Sequence, residues 1–482
     1  MRKKSIALLM ALVLVLLAGC GGTPAPSSPS TEAASTSAST PASSATTEES
    51  KPVVEAPEGS TVVTLWHYFN GEQDKALTSI VESFNAGVGA ENNYFVIAEN
   101  QGNTADLEKK IQSASDSGVE TLPTIVHGYP DIMATLHAKE QLGNLGAYLT
   151  EEEIAGYYPS FIKEGSQFGD DSVRLLPIAK STELLFVNRT LWDNVKEELE
   201  ATDEDLTTWE GIANVGKAYF EKYDKPFYCV GSFANFFYLT GYQQGVEYVS
   251  ADGTVVIDRD AAERTYNFLA SGVNEGWMAI KDGTRKYPSD FLNVGDIVCF
   301  ADSNSGTTFV FPKSSAAADA SEDELVFMNF PVWNDAVNTA VIQQGAGMAI
   351  CAKGEEEEKA AVFFLSYLTN AENTASFSMG SGYIPVQQDA KNDPTFAAFL
   401  AGQDAEGADL PLKQLKVSNA VNAALNQFDT YTMYYTPAFD GSNLVRRAVE
   451  DEVGKIFTGL HPDFDSFYNE LTAQVSKIIE GR

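Results

Sequence analysis

The chain has 482 residues, of which 44% are hydrophobic and 21% are charged. At roughly 100–200 residues per domain, this length accommodates about two to four domain-sized units with cores of their own. Lysine and arginine total 32 against 67 aspartates and glutamates, which gives a formal net charge of −35. Nucleic acids and anionic membrane surfaces require a basic face on their partner, so this charge argues against both. The composition also excludes a wholly disordered chain and a small disulfide scaffold.

The first nineteen residues have the three parts of an export signal. Arg2, Lys3 and Lys4 are followed by an apolar run at residues 5–18. That run is shorter than the about 20 residues that a membrane span requires. The sequence LAGC at residues 17–20 resembles the lipobox of bacterial lipoproteins, which implies cleavage before Cys20 and acylation of that cysteine. The alternative is an ordinary secretory signal with an incidental cysteine.

Residues 21–58 differ sharply in composition from the rest of the chain. They contain no leucine, isoleucine or aromatic residue and consist mostly of serine, threonine, alanine and proline. Such a segment cannot bury enough apolar surface to offset the entropy lost on ordering. We therefore expect 1–19 to be a signal peptide and 20–58 to be a lipidated cysteine with a disordered tether.

After the tether, β-rich runs and amphipathic helical patterns alternate. Strands are predicted at 61–66, 94–98 and 122–126, with helices at 71–85 and 104–118 between them. This β-α-β-α-β order indicates a parallel sheet covered by helices. Further elements follow in a similar pattern, namely strands at 184–188, 297–300 and 325–330 and a helix at 355–368. This repetition favours two α/β lobes over one oversized sheet.

Enzyme signatures are missing. The sequence has no GxxxxGK[ST], GxSxG or HExxH motif and no GxGxxG after a predicted strand. Cys229, Cys299 and Cys351 lie in or beside apolar runs without metal-ligand spacing, which favours buried free thiols and leaves one disulfide as the alternative. We expect no catalytic site, no cofactor and no metal. An extracytoplasmic enzyme acting on glycans stays an alternative, because paired carboxylates can perform acid/base chemistry.

Aromatic and small polar residues follow several of the predicted strands. Ligands of parallel α/β sheets bind outside the carboxyl ends of the strands. Aromatic rings stack on the C–H faces of a sugar, while hydroxyls, amides and carboxylates bind its hydroxyls. Any one of these aromatics is more often a core residue, so the prediction depends on the set as a whole. The candidates are Trp66, Tyr68, Asn103, Tyr129, Asp131, Phe233, Phe236, Ser303, Asn304, Ser305, Gly345 and Tyr383.

Four segments resemble the family 1 extracellular solute-binding proteins of ABC importers. They are Trp66-His67 with the helix that follows, the crossing-like segment 176–192, the segment 331–350 and the Gly-Tyr-x-Pro segment at 381–386. The resemblance extends from about residue 61 to about residue 455.

This resemblance implies a type II periplasmic-binding-protein-like fold, in which two α/β lobes are joined by three hinge crossings and close on a ligand. The implied division is 59–180 with 302–345 for lobe 1, and 181–301 with 346–482 for lobe 2.

The nearest subgroup binds oligosaccharides or glycerol-3-phosphate and its diesters. Matching its motifs implies binding roles for Ser181, Gly345 and Tyr383. Ser303 and Ser305 match a serine cluster of the subgroup more loosely. Phe233 or Phe236 stands where the subgroup has a tryptophan, and Thr104 stands where it has a tyrosine. The subgroup's phosphate-binding arginine falls at 438–441, where no arginine occurs. Arg446 and Arg447 lie in a predicted helix at 444–456, which we expect to keep them out of the cleft.

The predicted function is therefore capture of a neutral di- or oligosaccharide. We expect a monomer, anchored by its lipid on the extracellular or periplasmic face of the cytoplasmic membrane, that delivers the sugar to an ABC importer permease. A glycerol-3-phosphate or glycerophosphodiester ligand is the alternative. A receptor or adhesin of the same fold, without a permease, also remains open.

Overall fold

The computed structural model of the protein describes residues 55–313 and 322–481. The predicted signal peptide, Cys20 and the tether up to residue 54 lie outside the described residues. The described residues belong to one compact unit.

The strands of the described residues are β1 (Thr61–His67), β2 (Tyr94–Asn100), β3 (Ile125–Gly128), β4 (Leu176–Ser181), β5 (Glu183–Asn188), β6 (Tyr228–Val230), β7 (Cys299–Ser303), β8 (Leu325–Met328), β9 (Ala340–Ile342), β10 (Gln344–Ile350) and β11 (Thr432–Tyr434).

The α-helices of the same residues are α1 (Glu72–Ala86), α2 (Val88–Glu91), α3 (Thr104–Ser117), α4 (Pro130–Ala138), α5 (Glu151–Gly156), α6 (Pro159–Gly165), α7 (Arg189–Val195), α8 (Trp209–Tyr223), α9 (Phe233–Gln243), α10 (Arg259–Asn274), α11 (Pro288–Leu292), α12 (Glu355–Leu368), α13 (Ala371–Ser381), α14 (Pro394–Leu400), α15 (Leu412–Phe428), α16 (Ser442–Phe457) and α17 (Phe464–Glu480).

The first sheet has the strand order β2-β1-β3-β10-β4. β1 pairs in parallel with β2 and β3, which confirms the predicted parallel arrangement of the first three strands. β10 runs antiparallel between β3 and β4. Apolar side chains cover both faces of this sheet, with Val63 and Leu65 in one cluster and Val126 in the other. We call the part of the chain built on this sheet lobe 1.

The second sheet has the strand order β6-β7-β5-β8. Along β5, Leu185 and Val187 point into one apolar cluster, while Leu184 and Phe186 point into another. This is the period of two expected of a strand, here buried on both faces. β9 and β11 form a small parallel pair that joins the larger of these two clusters. We call the part of the chain built on the second sheet and this pair lobe 2.

The strands of the two sheets do not follow the predicted lobe boundaries. Segment 302–345 was expected in lobe 1, but its strand β8 pairs with β5 in the second sheet. Segment 346–482 was expected in lobe 2, but β10 lies in the first sheet between β3 and β4. After β4 the chain returns to the first sheet only at Gln344, where β10 begins.

Two connections between the lobes are one residue long. Thr182 separates β4 from β5, and Gln343 separates β9 from β10. The Thr182 amide donates to Asn304 Oδ1 at 2.8 Å, and its hydroxyl donates to the Ile342 carbonyl at 3.0 Å. The two crossings are thus hydrogen-bonded to each other and lie side by side.

The three described cysteines are buried and free, as the favoured interpretation predicted. Burial raises the pKa of Cys229 and Cys351 to about 12, so both stay protonated thiols near neutral pH. Among residues 55–313 and 322–481, no helix combines the length and the apolar character that crossing a membrane requires. The same residues contain no group of three or more histidines, cysteines or carboxylates arranged to hold a metal ion.

Candidate ligand-binding cleft

A cleft lies between the two lobes. Lobe 1 contributes the junction of β3 and α4, with Tyr129 and Asp131, and Glu164 of α6. Lobe 2 contributes α9, the first turns of α16 and the segment 435–439 before α16. The crossing at Gln343 reaches the same cavity. The position agrees with the rule that ligands bind beyond the carboxyl ends of parallel strands, because α4 begins directly after β3.

A carboxylate and a guanidinium face this cavity from opposite lobes. Asp131 belongs to the first turn of α4, and its Oδ1 accepts a hydrogen bond from the Ile132 amide at 3.1 Å. Burial raises the pKa of Asp131, although the attraction of Arg446 opposes the rise. Arg446, on α16, donates to Asn235 Oδ1. The cleft therefore holds both signs of charge.

A buried ion pair borders the cleft, because one of its members, Glu164, lines it. Lys180 Nζ of β4 pairs with Glu164 Oε2, and their side chains are only 2% and 7% exposed. Lys180 also donates to the Gly345 carbonyl at 3.1 Å, and Gln343 Nε2 donates to Glu164 Oε2 at 3.0 Å. Gly345 has φ +107°, and a Cβ there would lie 2.0 Å from the Ala179 carbonyl oxygen, so only glycine fits.

Three tyrosines meet at the lobe 1 edge of the cleft. The ring of Tyr68 is stacked on His127 at 4.5 Å and is nearly parallel to Tyr129 at 6.3 Å. Its hydroxyl is buried near those of Tyr129 and Tyr383, but makes no hydrogen bond of ordinary geometry. Burial, reinforced by the neighbouring phenols, raises the pKa of Tyr68. Tyr383 also interacts with the hydroxyl of Ser305.

The structure brings six of the thirteen predicted site residues together. Tyr129, Asp131 and Gly345 line the cavity itself. Tyr68, Tyr383 and Ser305 adjoin Tyr129 through the tyrosine cluster.

Three further candidates belong to the connections between the lobes rather than to the cavity lining. Ser181 ends β4 and is buried, and its backbone pairs with Gln344. Ser303 Oγ contacts Ser305 Oγ at 2.9 Å and caps the short turn that follows. Asn304 is fully buried, where its Nδ2 donates to the Gly382 carbonyl at 2.6 Å.

Four candidates lie outside the cavity lining, and each has a structural role that explains its position. Trp66 is still inside β1 and packs under Lys110, whose Nζ lies 3.9 Å from the ring centroid. Asn103 caps α3, because its Oδ1 accepts from the Asp106 amide at 3.1 Å. Phe233 is stacked on Phe457 at 4.6 Å, and Phe236 packs on Trp209 at 4.9 Å in the lobe 2 core.

Sequence reasoning missed several residues that line the cleft. Arg446 is the most consequential, because its position in a helix was expected to keep it out of the cleft. The helix is confirmed, and the inference drawn from it is wrong. Ser442, Arg446 and Glu450 share one face of α16 at a spacing of four, next to the core face of Val445 and Val449. That polar stripe was the available signal. Among the other missed residues are Glu164, Asn235, Tyr238, Gln343 and Phe439.

Comparison with known proteins identifies the family. The model for bacterial extracellular solute-binding proteins matches residues 79–405, more than half of the chain. The chain belongs to this family. The predicted family resemblance is thereby confirmed, and so is the prediction of a binding protein rather than an enzyme.

Solved structures of similar fold cover nearly the whole described region. The cyclic α-maltosyl-1,6-maltose-binding protein of Arthrobacter globiformis is 17% identical, with a TM-score of 0.68 over 88% of this chain and 100% of that one. UgpB of Mycobacterium tuberculosis, in complex with glycerophosphocholine, is 18% identical, with a TM-score of 0.68 over 87% and 100%.

A third example is the GacH receptor of Streptomyces glaucescens, solved unliganded and with acarbose. It is 15% identical, with a TM-score of 0.67 over 87% of this chain and 99% of that one. Identities this low show the fold alone, and they confirm the predicted two-lobe α/β architecture of the periplasmic-binding-protein type. Among curated proteins, no relative matches this chain.

Proposed function

We propose that the protein captures a di- or oligosaccharide between its two lobes and delivers it to the permease of an ABC importer. The observation that carries this proposal is the mixed lining of the cleft. Tyr129, Tyr238 and Phe439 supply aromatic rings, while Asp131 and Asn235 supply groups that bind hydroxyls. Rings that stack on C–H faces, together with a few polar groups that fix orientation, suit a sugar.

Binding involves capture and closure without any bond being broken. The one-residue crossings at Thr182 and Gln343 are short connections of the kind that absorb a hinge motion between lobes. Closure excludes water from the cleft and so strengthens the hydrogen bonds to the ligand. The structural neighbours that bind a cyclic maltosyl-maltose and acarbose support a carbohydrate ligand.

A glycerophosphodiester is a second candidate, and Arg446 is the observation that favours it. A guanidinium in the cleft binds phosphate through paired hydrogen bonds, and the neighbour bound to glycerophosphocholine supports this ligand class. Against it stands Asp131, whose carboxylate attracts Arg446 and repels a phosphate. Because Asp131 offsets the charge of Arg446, the cleft favours a neutral ligand with many hydroxyls.

Calorimetry at low salt distinguishes the two ligands. We expect binding of neutral oligosaccharides such as maltotriose and none of glycerol-3-phosphate or glycerophosphocholine. Tyr129→Ala should weaken sugar binding by roughly 1–3 kcal/mol, as the loss of a buried aromatic anchor does. Tyr287→Ala is the matched control, because Tyr287 is 66% exposed and does not line the cleft. Micromolar binding of glycerol-3-phosphate, lost in Arg446→Gln, would replace the sugar assignment with the second candidate.

We further propose that the mature protein is a monomer held at the extracellular or periplasmic face of the cytoplasmic membrane by a lipid on Cys20. The lipobox sequence at residues 17–20 supports this anchor. Replacement of Cys20 by alanine should abolish labelling with radioactive palmitate, and continued labelling would contradict the proposal. A chain beginning at Gly59 should keep its melting temperature, since residues 21–58 contain no leucine, isoleucine or aromatic side chain.

A further inference from the structure

β5 begins with a carboxylic acid, Glu183, which is followed by four apolar residues. All six residues of the strand are buried, and Glu183 is only 3% exposed. A buried carboxyl group costs free energy unless it is well paired, and its charged form costs far more. No lysine, arginine or histidine forms a salt bridge with Glu183 in the described part of the chain. Packing of the core therefore does not explain a glutamate at this position.

The side chain of Glu183 is instead linked to the cleft. Asn235 Nδ2 donates to Glu183 Oε1 at 2.5 Å, and Asn235 Oδ1 accepts from the guanidinium of Arg446. Asn235 and Arg446 line the cleft, whereas Glu183 lies behind them. An amide has distinct donor and acceptor ends. Because Glu183 accepts from the nitrogen, the oxygen of Asn235 must face Arg446.

We propose that Glu183 is a positioning residue that holds Arg446 in place for the ligand through Asn235, so that ligand affinity depends on the protonation of Glu183. This inference rests on the proposed solute-binding function but does not require that the ligand be a sugar.

The charged groups around Glu183 determine whether ligand affinity rises or falls with pH. α16 presents Arg446 and Glu450, and β7 presents Asp302; the phenol of Tyr228 on β6 also faces it. Glu450 Oε2 accepts from the Ala234 amide at 2.6 Å, and Lys281 attracts Asp302. Two carboxylates and one guanidinium therefore influence the pKa of Glu183, which is also buried away from water.

The pKa of Glu183 consequently rises to about 8, with burial as the largest cause. Below that pH the acid is neutral in the ligand-free protein. A ligand that fills the cleft removes further water, which disfavours the charged form and raises the pKa again. Binding above pH 8 should therefore take up a proton, and affinity should fall as the pH rises.

The first experiment needs no ligand. In protein labelled with ¹⁵N-arginine, the Arg446 side-chain resonance, assigned by its loss in Arg446→Gln, should titrate with a midpoint near pH 8. Glu183→Gln keeps an acceptor for Asn235 but cannot ionise, so the titration should disappear. A resonance that is flat from pH 6 to pH 10 in the wild type, or unchanged in Glu183→Gln, would overturn the inference.

The second experiment measures affinity, with maltotriose as the probe. Wild-type Kd should rise about tenfold between pH 7 and pH 9.5, which corresponds to a one-unit pKa shift on binding. Glu183→Gln should bind as the wild type does at pH 7 and lose the pH dependence. Asp302→Asn, which removes a buried acid without a bond to Asn235, should keep that dependence.

Glu183→Met separates positioning from folding. Methionine removes the buried acid at similar volume, so the melting temperature should not fall, while affinity should drop several-fold because Asn235 loses its acceptor. Unchanged affinity in this variant would refute a positioning role. If maltotriose does not bind at any pH, the sugar assignment fails, and the arginine titration still decides the role of Glu183.

Discussion

The buried Lys180–Glu164 ion pair beside the cleft gives a sharp test of the electrostatics of this fold. Lys180→Met removes the cation but keeps most of the side-chain volume. It leaves the Glu164 carboxylate, 7% exposed, without its counter-charge. Of its bonds to polar side chains, Glu164 keeps the one donated by Gln343 Nε2 at 3.0 Å. The Gly345 carbonyl also loses the donor that held it at 3.1 Å.

The expected loss is large because a charge is left uncompensated. Breaking a buried pair on one side costs about 3–5 kcal/mol, whereas an exposed pair contributes at most about 1 kcal/mol. The remaining bond to Gln343 places the expected value near the lower end, at about 3 kcal/mol. The double variant Lys180→Met with Glu164→Gln should lose less than Lys180→Met alone, because no unpaired charge then remains.

The free energy of unfolding should be measured by urea titration, followed by both circular dichroism and tryptophan fluorescence so that two-state behaviour is checked. Lys359→Met is the matched control, since Lys359 and Glu355 form an exposed pair on α12. A loss below about 1 kcal/mol for Lys180→Met would refute the reasoning, because the pair would then behave like an exposed one. A double variant as unstable as the single one would show that hydrogen-bond geometry, and not charge, decides the loss.

Three further predictions follow from the same packing. Tyr383→Ala should lower stability by roughly 3 kcal/mol as well as weaken binding, because Tyr383 is only 7% exposed and belongs to the lobe 1 core, whereas Tyr383→Phe should affect binding alone. Arg447 of α16 pairs with Glu108 of α3, so Arg447→Glu should weaken binding several-fold in calorimetry by making the two helices repel each other, and the exchange of both charges should restore it. Gly345→Ala should unfold at much lower urea than Gly306→Ala, whose added Cβ meets nothing within 4 Å.

The early part of the fold could be predicted because its signals are local. β1, α1, β2, α3 and β3 each have the period of their element, and α1 buries Leu77, Ile80, Val81 and Phe84 on one face. The first turn of α12 carries four glutamates, which suit the positive end of a helix dipole. Consecutive strands joined by helices pair in parallel, so local order was enough to give the topology here.

The lobe boundary could not be predicted in the same way. β8 and β10 are short apolar segments close together in the chain, yet β8 pairs with β5 and β10 pairs with β3 and β4. Nothing within either segment specifies a partner more than 100 residues away.

The candidates Trp66 and Asn103 do not line the cleft for a related reason. Position after a strand gives the correct edge of the sheet, but packing under Lys110 and capping of α3 decide where each side chain lies.

Arg446 shows why net charge and secondary structure were insufficient guides to the ligand. The charge of −35 describes the whole chain, but the potential inside a cleft depends on the few groups that face it. A helix has several faces, and any of them can line a site. A helical residue can therefore be excluded from a site only when the direction of its face is known. On α16 the valine stripe fixes that face, since Val445 and Val449 point into the lobe 2 core. Arg446 lies beside that stripe and lines the cleft, where Asp131 of lobe 1 and the Asn235–Glu183 chain of lobe 2 determine what its positive charge can bind.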